Sequence, residues 1–323
     1  MASPELGGEL RTGLPRAVGA GLAAAGRKGR NALRLTLRTT AGRIGLPIVL
    51  LHLTLALIGP LLAPYDPIEF LFRETGELQQ LLAPSRQFWL GTDQFGRDVL
   101  SRVMSGAMSL IVVSVAGAAL GIALGTVVGM SSGYKGGRVD EVVMRVMDGL
   151  MSFPSLLLAL LVMATLADRP PPVEWLEPYW QKVLIVATIG VVNMPSVARV
   201  IRSTTLFLKT QEFVQSARLR GEPASYIIFR EILPNTLPIL GVEMSVRLSY
   251  AILTVSSLGF LGLGIQPPSP DWGLMISQSR PFLVSAPWVA LAPMAAVASL
   301  VVGINLLADG LRQARGLPQE KMS

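Results

Sequence analysis

Six stretches of about twenty predominantly apolar residues divide the chain, at 44–63, 106–130, 145–166, 183–201, 236–258 and 287–307, and each is long enough to cross a bilayer's hydrocarbon core as a helix. Lipid offers backbone N–H and C=O groups no partner, so stretches of this length must satisfy them internally. The pattern predicts an all-α integral membrane protein with six transmembrane helices. In the second stretch Gly121, Gly125 and Gly129 recur at every fourth position and leave one helix face without side chains. Such faces let helix backbones approach closely. Packing within the chain is expected, with a partner subunit's helix as the alternative.

The polar interval 204–235, between the fourth and fifth stretches, is far longer than a turn needs to be. Nothing in 211–220 breaks a helix, Gly221 suits the left-handed position just past a helix end, and Pro223 suits the first position of the next helix. A second helix over 224–233 is expected to stop at Pro234. This is a short rigid elbow, able to transmit a push. A hairpin resting on lipid headgroups is the plainer alternative. A second patterned interval precedes the second stretch. Phe95, Val99, Leu100, Val103 and Met104 share one helical face, and Arg97, Asp98, Ser101, Arg102 and Ser105 take the other. That predicts an amphipathic helix at the outer interface, with Thr92 or Asp93 as its N-cap.

Composition narrows the class. The 323 residues are 51% hydrophobic and 15% charged, against about 25% charged in soluble domains. Cysteine is absent and His52 is the one histidine, so there is no disulfide framework, thiolate site or histidine cluster for a metal. The net charge of +7 reads as topology: of 28 Lys and Arg, 20 fall in the N-terminal, even-numbered-loop and C-terminal segments, seven in the other loops, and Arg247 inside a span. The basic segments are cytosolic, which places both termini and the 204–235 loop inside. No basic stripe carries interleaved aromatics for stacking bases, so the expected surroundings are membrane lipid and no nucleic acid. The organisation that follows is a partly disordered basic tail (1–43), a first helix (44–63), an external loop with an interfacial helix (64–105), a five-helix core (106–312) and a C-terminal tail (313–323). The apolar stretch after the basic tail is too long for a signal peptide, and no A-x-A cleavage site follows it.

Gln215-Ser216-Ala217, then Gly221, then Ile232-Leu233-Pro234 resemble the EAA loop of ABC-importer permeases, E-A-A-x3-G-x9-I-x-L-P. Gln215 and Ser216 depart from the usual Glu and Ala, and Glu231 stands where the motif has Ile. Further segments are similar to the dipeptide, oligopeptide and nickel permeases of the C type: W-L-G-T-D-Q-F-G-R-D-V-L-S-R from Trp89, G-Y-K-G-G-R-V-D-E from Gly133, F-P-S-L-L-L-A-L from Phe153, S-L-G-F-L-G-L-G from Ser257, P-P-S-P-D-W-G from Pro267 and N-L-L-A-D-G-L-R from Asn305. The resemblance runs from about residue 44 to 312 and implies a type I importer permease in a bacterial or archaeal inner membrane. It implies a second, B-type permease that shares the path, one or two P-loop ATPases below, and an extracytoplasmic peptide-binding protein. It assigns ATPase coupling to Glu212, Gln215, Ser216, Ala217, Arg218, Gly221, Glu222, Pro223, Leu233 and Pro234. The implied cargo is short peptides, with nickel complexes or other peptide-like solutes as the alternative. ATP and magnesium would be held by the partner ATPases, and this chain would bind no cofactor.

Ionisable residues inside a bilayer default to function. Glu243 and Arg247 lie four apart and can pair on one helix face, either holding the bundle or lining the path. Asp148 is expected to pair with Arg145 or Arg199. Asn193 and Pro195 interrupt the fourth stretch and form a hinge or a static bend. Trp272 is expected as an interfacial anchor or a binding-protein contact, and His52 as a satisfied or interfacial residue. The sequence contains no G-x-x-x-x-G-K-[ST] or H-E-x-x-H pattern, so no catalytic role is expected and transport needs an outside energy source. An ion-coupled secondary transporter and a non-transporting membrane scaffold are the rivals from other classes.

Overall fold

The computed structural model describes residues 37–73 and 76–314; most of the two tails expected at 1–43 and 313–323 lies outside the described residues. Nine α-helices form among them: α1 (Thr40–Leu62), α2 (Val99–Lys135), α3 (Gly137–Met151), α4 (Ser155–Leu166), α5 (Trp180–Leu208), α6 (Glu212–Leu219), α7 (Ala224–Phe260), α8 (Trp272–Ser279) and α9 (Pro287–Ala314). Five elements are long and apolar enough to cross a membrane (α1, α2, α5 with the 3-10 turn before it, α7 and α9), and the bent pair α3–α4 makes up to six. Large apolar side chains such as Leu57, Leu61, Leu157, Leu161 and Val302 stay exposed, the reverse of a water-soluble surface and the arrangement that lipid favours.

The third expected helix is broken. α3 and α4 meet at 86° across Ser152-Phe153-Pro154. A residue before proline is pushed out of the helical region, and Pro154 itself is extended (ψ 127°). The twelve residues of α4 rise only about 18 Å, short of the hydrocarbon thickness. α3 is instead tied down sideways on α5. Arg202 donates Nε and Nη2 to the two carboxylate oxygens of Asp140, each at 2.5 Å. Arg199 donates to Asp148 at 2.6 Å, while Arg145 pairs with Glu141 on its own helix.

The glycine face of α2 packs within the chain, against α5. A Cβ on Gly121 would lie 2.8 Å from the Asn193 Cβ, and one on Gly125 would lie 2.6 Å from the Val197 Cβ; neither distance is tolerable between carbon atoms. At the other edge α1 packs on α9, with Gly45 against Leu306 and Leu307 and Gly42 against Gly310. The start of α1 and the end of α9 are thus neighbours.

The amphipathic helix expected from Phe95 at the outer interface does not exist as a separate element. Asp98 caps α2 (Asp98 Oδ2 accepts from Ser101 N, 2.8 Å), so Val99 to Ser105 are the first turns of that long helix. The residues before it fold into a loop closed by a Thr92–Asp98 bridge. Asp93, expected as an N-cap, turns the loop instead: its Oδ1 accepts from Phe95 N (2.8 Å) and Arg97 N (3.0 Å). Arg97, Asp98, Ser101 and Arg102, the presumed solvent face, are all buried, because the carboxylates and guanidiniums neutralise one another and dock on the rest of the loop. Arg102 Nη1 donates to Pro67 O at 2.9 Å.

Trp272 is neither interfacial nor available to a partner: it is wholly buried. Its Nε1 donates to Val103 O at 2.9 Å, and its ring meets His52 edge-on at 6.0 Å. His52 is buried too, with Nδ1 2.9 Å from Ile48 O and Nε2 3.1 Å from Ala296 O. Beside Trp272, Asp271 caps α8 by accepting from Leu274 N (2.9 Å), and its Oδ2 has no partner. Burial pushes this carboxyl up to about 6, against the opposing backbone bonds from Leu274 and Gly273. A carboxyl raised in the folded state contributes stability that is present below its ordinary value, near 4, and lost as pH rises through 6. Asp271→Asn keeps a capping acceptor without the charge. It is expected to raise the melting temperature of the detergent-purified protein at pH 7.5 and to leave it nearly unchanged at pH 4.5. A variant less stable at pH 7.5 would contradict this.

Candidate coupling site and intramembrane ion pair

α6 is a two-turn helix whose sequence alternates inward and outward positions. Val214 and Ala217, three apart and so on one face, are completely buried. They seat in a socket of Met130 from α2, Val197 and Ile201 from α5, and Ile227 and Ile232 from α7. Arg218 lies over the Tyr134 ring at the end of α2, 5.4 Å from its centroid. The helix ends as a Schellman motif: Gly221 takes φ +80°, Gly221 N donates to Arg218 O (2.9 Å) and Glu222 N to Ala217 O (3.2 Å). Pro223 is the extended residue before α7, one position earlier than expected.

The second half of the elbow departs from expectation. The helix that begins at Ala224 runs through Pro234 to Phe260. A π-helical segment, Ile227–Ile232, precedes the proline, and Leu233 N donates to Ile228 O five residues back. This widened register, together with the side chain of Asn235 donating to Glu231 O (2.7 Å), lets a residue without an N–H sit inside the helix. The elbow is therefore welded to the fifth span. Glu231, the departure from the EAA pattern, lies 3.6 Å from Arg220 Nη2, and Glu222 lies 3.8 Å from Arg220 Nε, so one arginine spans the break.

Of the residues expected to couple, Glu212, Gln215, Ser216, Arg218, Gly221, Pro223 and Pro234 are exposed, Glu222 and Leu233 are half-buried, and Ala217 is the buried anchor. Sequence reasoning missed Leu219. This apolar side chain stands 89% exposed at the tip of α6; a leucine on an otherwise polar face was the available signal. Leu233 also borders an apolar groove of about 560 Å³ between α2 and α7, lined by Ile122, Thr126, Met130, Phe229 and Leu237 among others.

Asn193 and Pro195 are buried where α5 meets the glycine face of α2. Glu243 and Arg247 lie elsewhere, on α7, and pair at 3.0 Å (Nε to Oε2) with 13% and 16% of their side chains exposed. Removing one partner strands a mostly buried charge. Glu243→Ala is expected to destabilise by about 2 kcal/mol more than Glu243→Ala with Arg247→Ala. Thermal melts of the two variants check this, and equal melts would mean the pair carries no coupling energy. Among the described residues no group of three or more metal-capable side chains occurs.

The family described as binding-protein-dependent transport system inner membrane component matches residues 121–314, which contain both the elbow and the ion pair. Over 285 residues the chain is 36% identical to the dipeptide transport system permease protein DppC of Alkalihalophilus pseudofirmus, covering 88% of each chain. It is 35% identical over 266 residues to the glutathione transport system permease protein GsiD of Pectobacterium atrosepticum, covering 82% of this chain and 83% of that one. The corresponding protein of Shigella boydii is 37% identical over 266 residues, 82% of each. With a helical bundle of membrane-spanning length, an apolar perimeter and an elbow of the EAA kind, this chain belongs to the binding-protein-dependent transport system inner membrane components, the multi-pass permeases of ABC importers.

Proposed function

We propose that this chain is the permease subunit of an ATP-driven importer of short peptides. It shares one translocation path with a second, B-type permease and receives cargo from an extracytoplasmic binding protein. P-loop ATPases, which hold the ATP and magnesium, grip it through 211–234, and the chain itself catalyses nothing. The observation that carries the proposal is the seating of α6. Val214 and Ala217 lock into residues of α2, α5 and α7 at once, so a displacement of α6 is delivered to three spans together. ATP binding closes the ATPases, the elbow follows, and the spans rock between inward- and outward-facing states. The adjacency of Gly42 and Gly310 supports both termini on one side, and the basic bias of the loops makes that side, and the elbow's, cytosolic.

The chain has no native cysteine, so Leu219→Cys places a unique thiol at the tip. In the intact complex it is expected to cross-link to an ATP-binding subunit, whereas Val284→Cys, 99% exposed in the loop before α9, is expected not to. No adduct at Leu219→Cys, with ATP-independent uptake that vanishes on Glu243→Gln, would move the assignment to an ion-coupled carrier.

A further inference from the structure

Glu243, Arg247, Tyr250 and Thr254 recur at i, i+4, i+7 and i+11 along α7, so they form one polar stripe along the helix. The stripe lies within an apolar span, and beside and behind it Ala251, Ile252, Val255 and Leu258 are buried in the main core. Hydrocarbon does not tolerate an ion pair with its remaining donors unmet, so this face looks onto water or protein. Among the described residues Glu243 is the sole hydrogen-bond partner of Arg247, through Nε alone. The Tyr250 ring, 58% exposed, lies 5.8 Å from the guanidinium carbon. The two terminal nitrogens of Arg247 are left as a planar fork suited to a carboxylate.

We propose that Arg247 and Glu243 form a substrate-discriminating contact in the path, with Arg247 taking the terminal carboxylate of a passing peptide and Glu243 its ammonium group. This rests on the peptide-importer reading above. Charge balance favours a zwitterionic solute over an acidic residue of a neighbouring subunit. A permanent second carboxylate would leave net negative charge in the bilayer, whereas a zwitterion adds none and the pair re-forms behind it. The closed pair keeps the empty path neutral.

The test uses the complete transporter in proteoliposomes with saturating binding protein, so that the binding protein's own preference is common to every variant. The readout is kcat/KM for dialanine divided by that for dialanine amide. Loss of a charge-assisted bidentate bond in Arg247→Gln is expected to lower this ratio by about tenfold, with partial recovery in Arg247→Lys. An unchanged ratio in a variant that assembles overturns the proposal. Loss of association with the second permease, with the ratio intact in Arg247→Lys, also overturns it and makes the stripe a subunit contact. Absence of ATP-dependent uptake of either peptide by the wild type would instead overturn the importer reading, and this proposal with it.

Discussion

Gly221→Val is expected to reduce ATP-driven uptake to near background while the permease still inserts, folds and purifies with its partners. Gly221 is exposed, takes φ +80°, and has nothing within 4 Å of where a Cβ would stand. The penalty of a substitution is therefore purely conformational, without a clash. A residue with a Cβ in the left-handed region costs about 1–2 kcal/mol, and a β-branched one more. The chain relieves that strain by unwinding the bonds from Gly221 N and Glu222 N, which frees the end of α6 from its turn into α7. Stability of the spans is hardly touched, because Val214 and Ala217 remain in their socket. Asparagine tolerates this conformation best after glycine, so uptake should fall in the order Gly, Asn, Ala, Val. Uptake by the valine variant equal to wild type would show that the geometry of the break does not matter to coupling.

Asp93→Ala is expected to be the most destabilising single change outside the helices. Asp93 accepts from two backbone N–H groups, and its Oδ2 accepts from Arg97 Nε at 2.8 Å, with Arg97 Nη2 at 2.8 Å and Arg102 Nε at 3.6 Å as ion-pair contacts. Arg97 and Arg102 are 8% and 2% exposed at the side chain. Removing the carboxylate strands two buried guanidiniums with Asp98 as the remaining acid, and breaking a buried pair costs about 3–5 kcal/mol. A lower melting temperature and rapid protease nicking within 86–98 are the expected readouts. Arg97→Met in the Asp93→Ala background should recover part of the loss, since it removes one of the orphaned charges. A melt indistinguishable from wild type would mean that this knot is solvated when the transporter is assembled.

The two variants report on different links. Gly221 lies between structure and function, and its spans should survive. Asp93 lies between sequence and fold: the loop it organises covers the start of α2, where Gly106 meets Pro270 O and the Trp272 ring. Collapse there would reach the α8 cap at Asp271.

Much of the architecture was legible because it depends on local sums. Five of the six apolar stretches, the glycine repeat, Gly221 as a helix end and the Glu243–Arg247 spacing each need only composition or a short period, and each has a counterpart in the structure, while the third stretch is a pair of helices bent by 86°. Long-range contacts decided the rest. The sequence rule that proline ends a helix applied at Pro154 and failed at Pro234, because a π segment and the Asn235 side chain absorbed the missing donor only at the second site. The amphipathic pattern after Phe95 was real, yet its charged face turned inward, because Asp93, Asp98, Arg97 and Arg102 could neutralise each other once the loop closed. Leu219 and Val214 look alike in the sequence of α6. The fold buries Val214 completely and leaves Leu219 at the tip, because only one helix face can meet the socket that α2, α5 and α7 build. The sequence by itself thus determined the solvent of this protein, its spans and the place of its elbow, all set by residue chemistry and local period. Which charges are buried, which proline breaks its helix and which face of the elbow is free were decided by the tertiary structure, since each depends on partners distant in the chain.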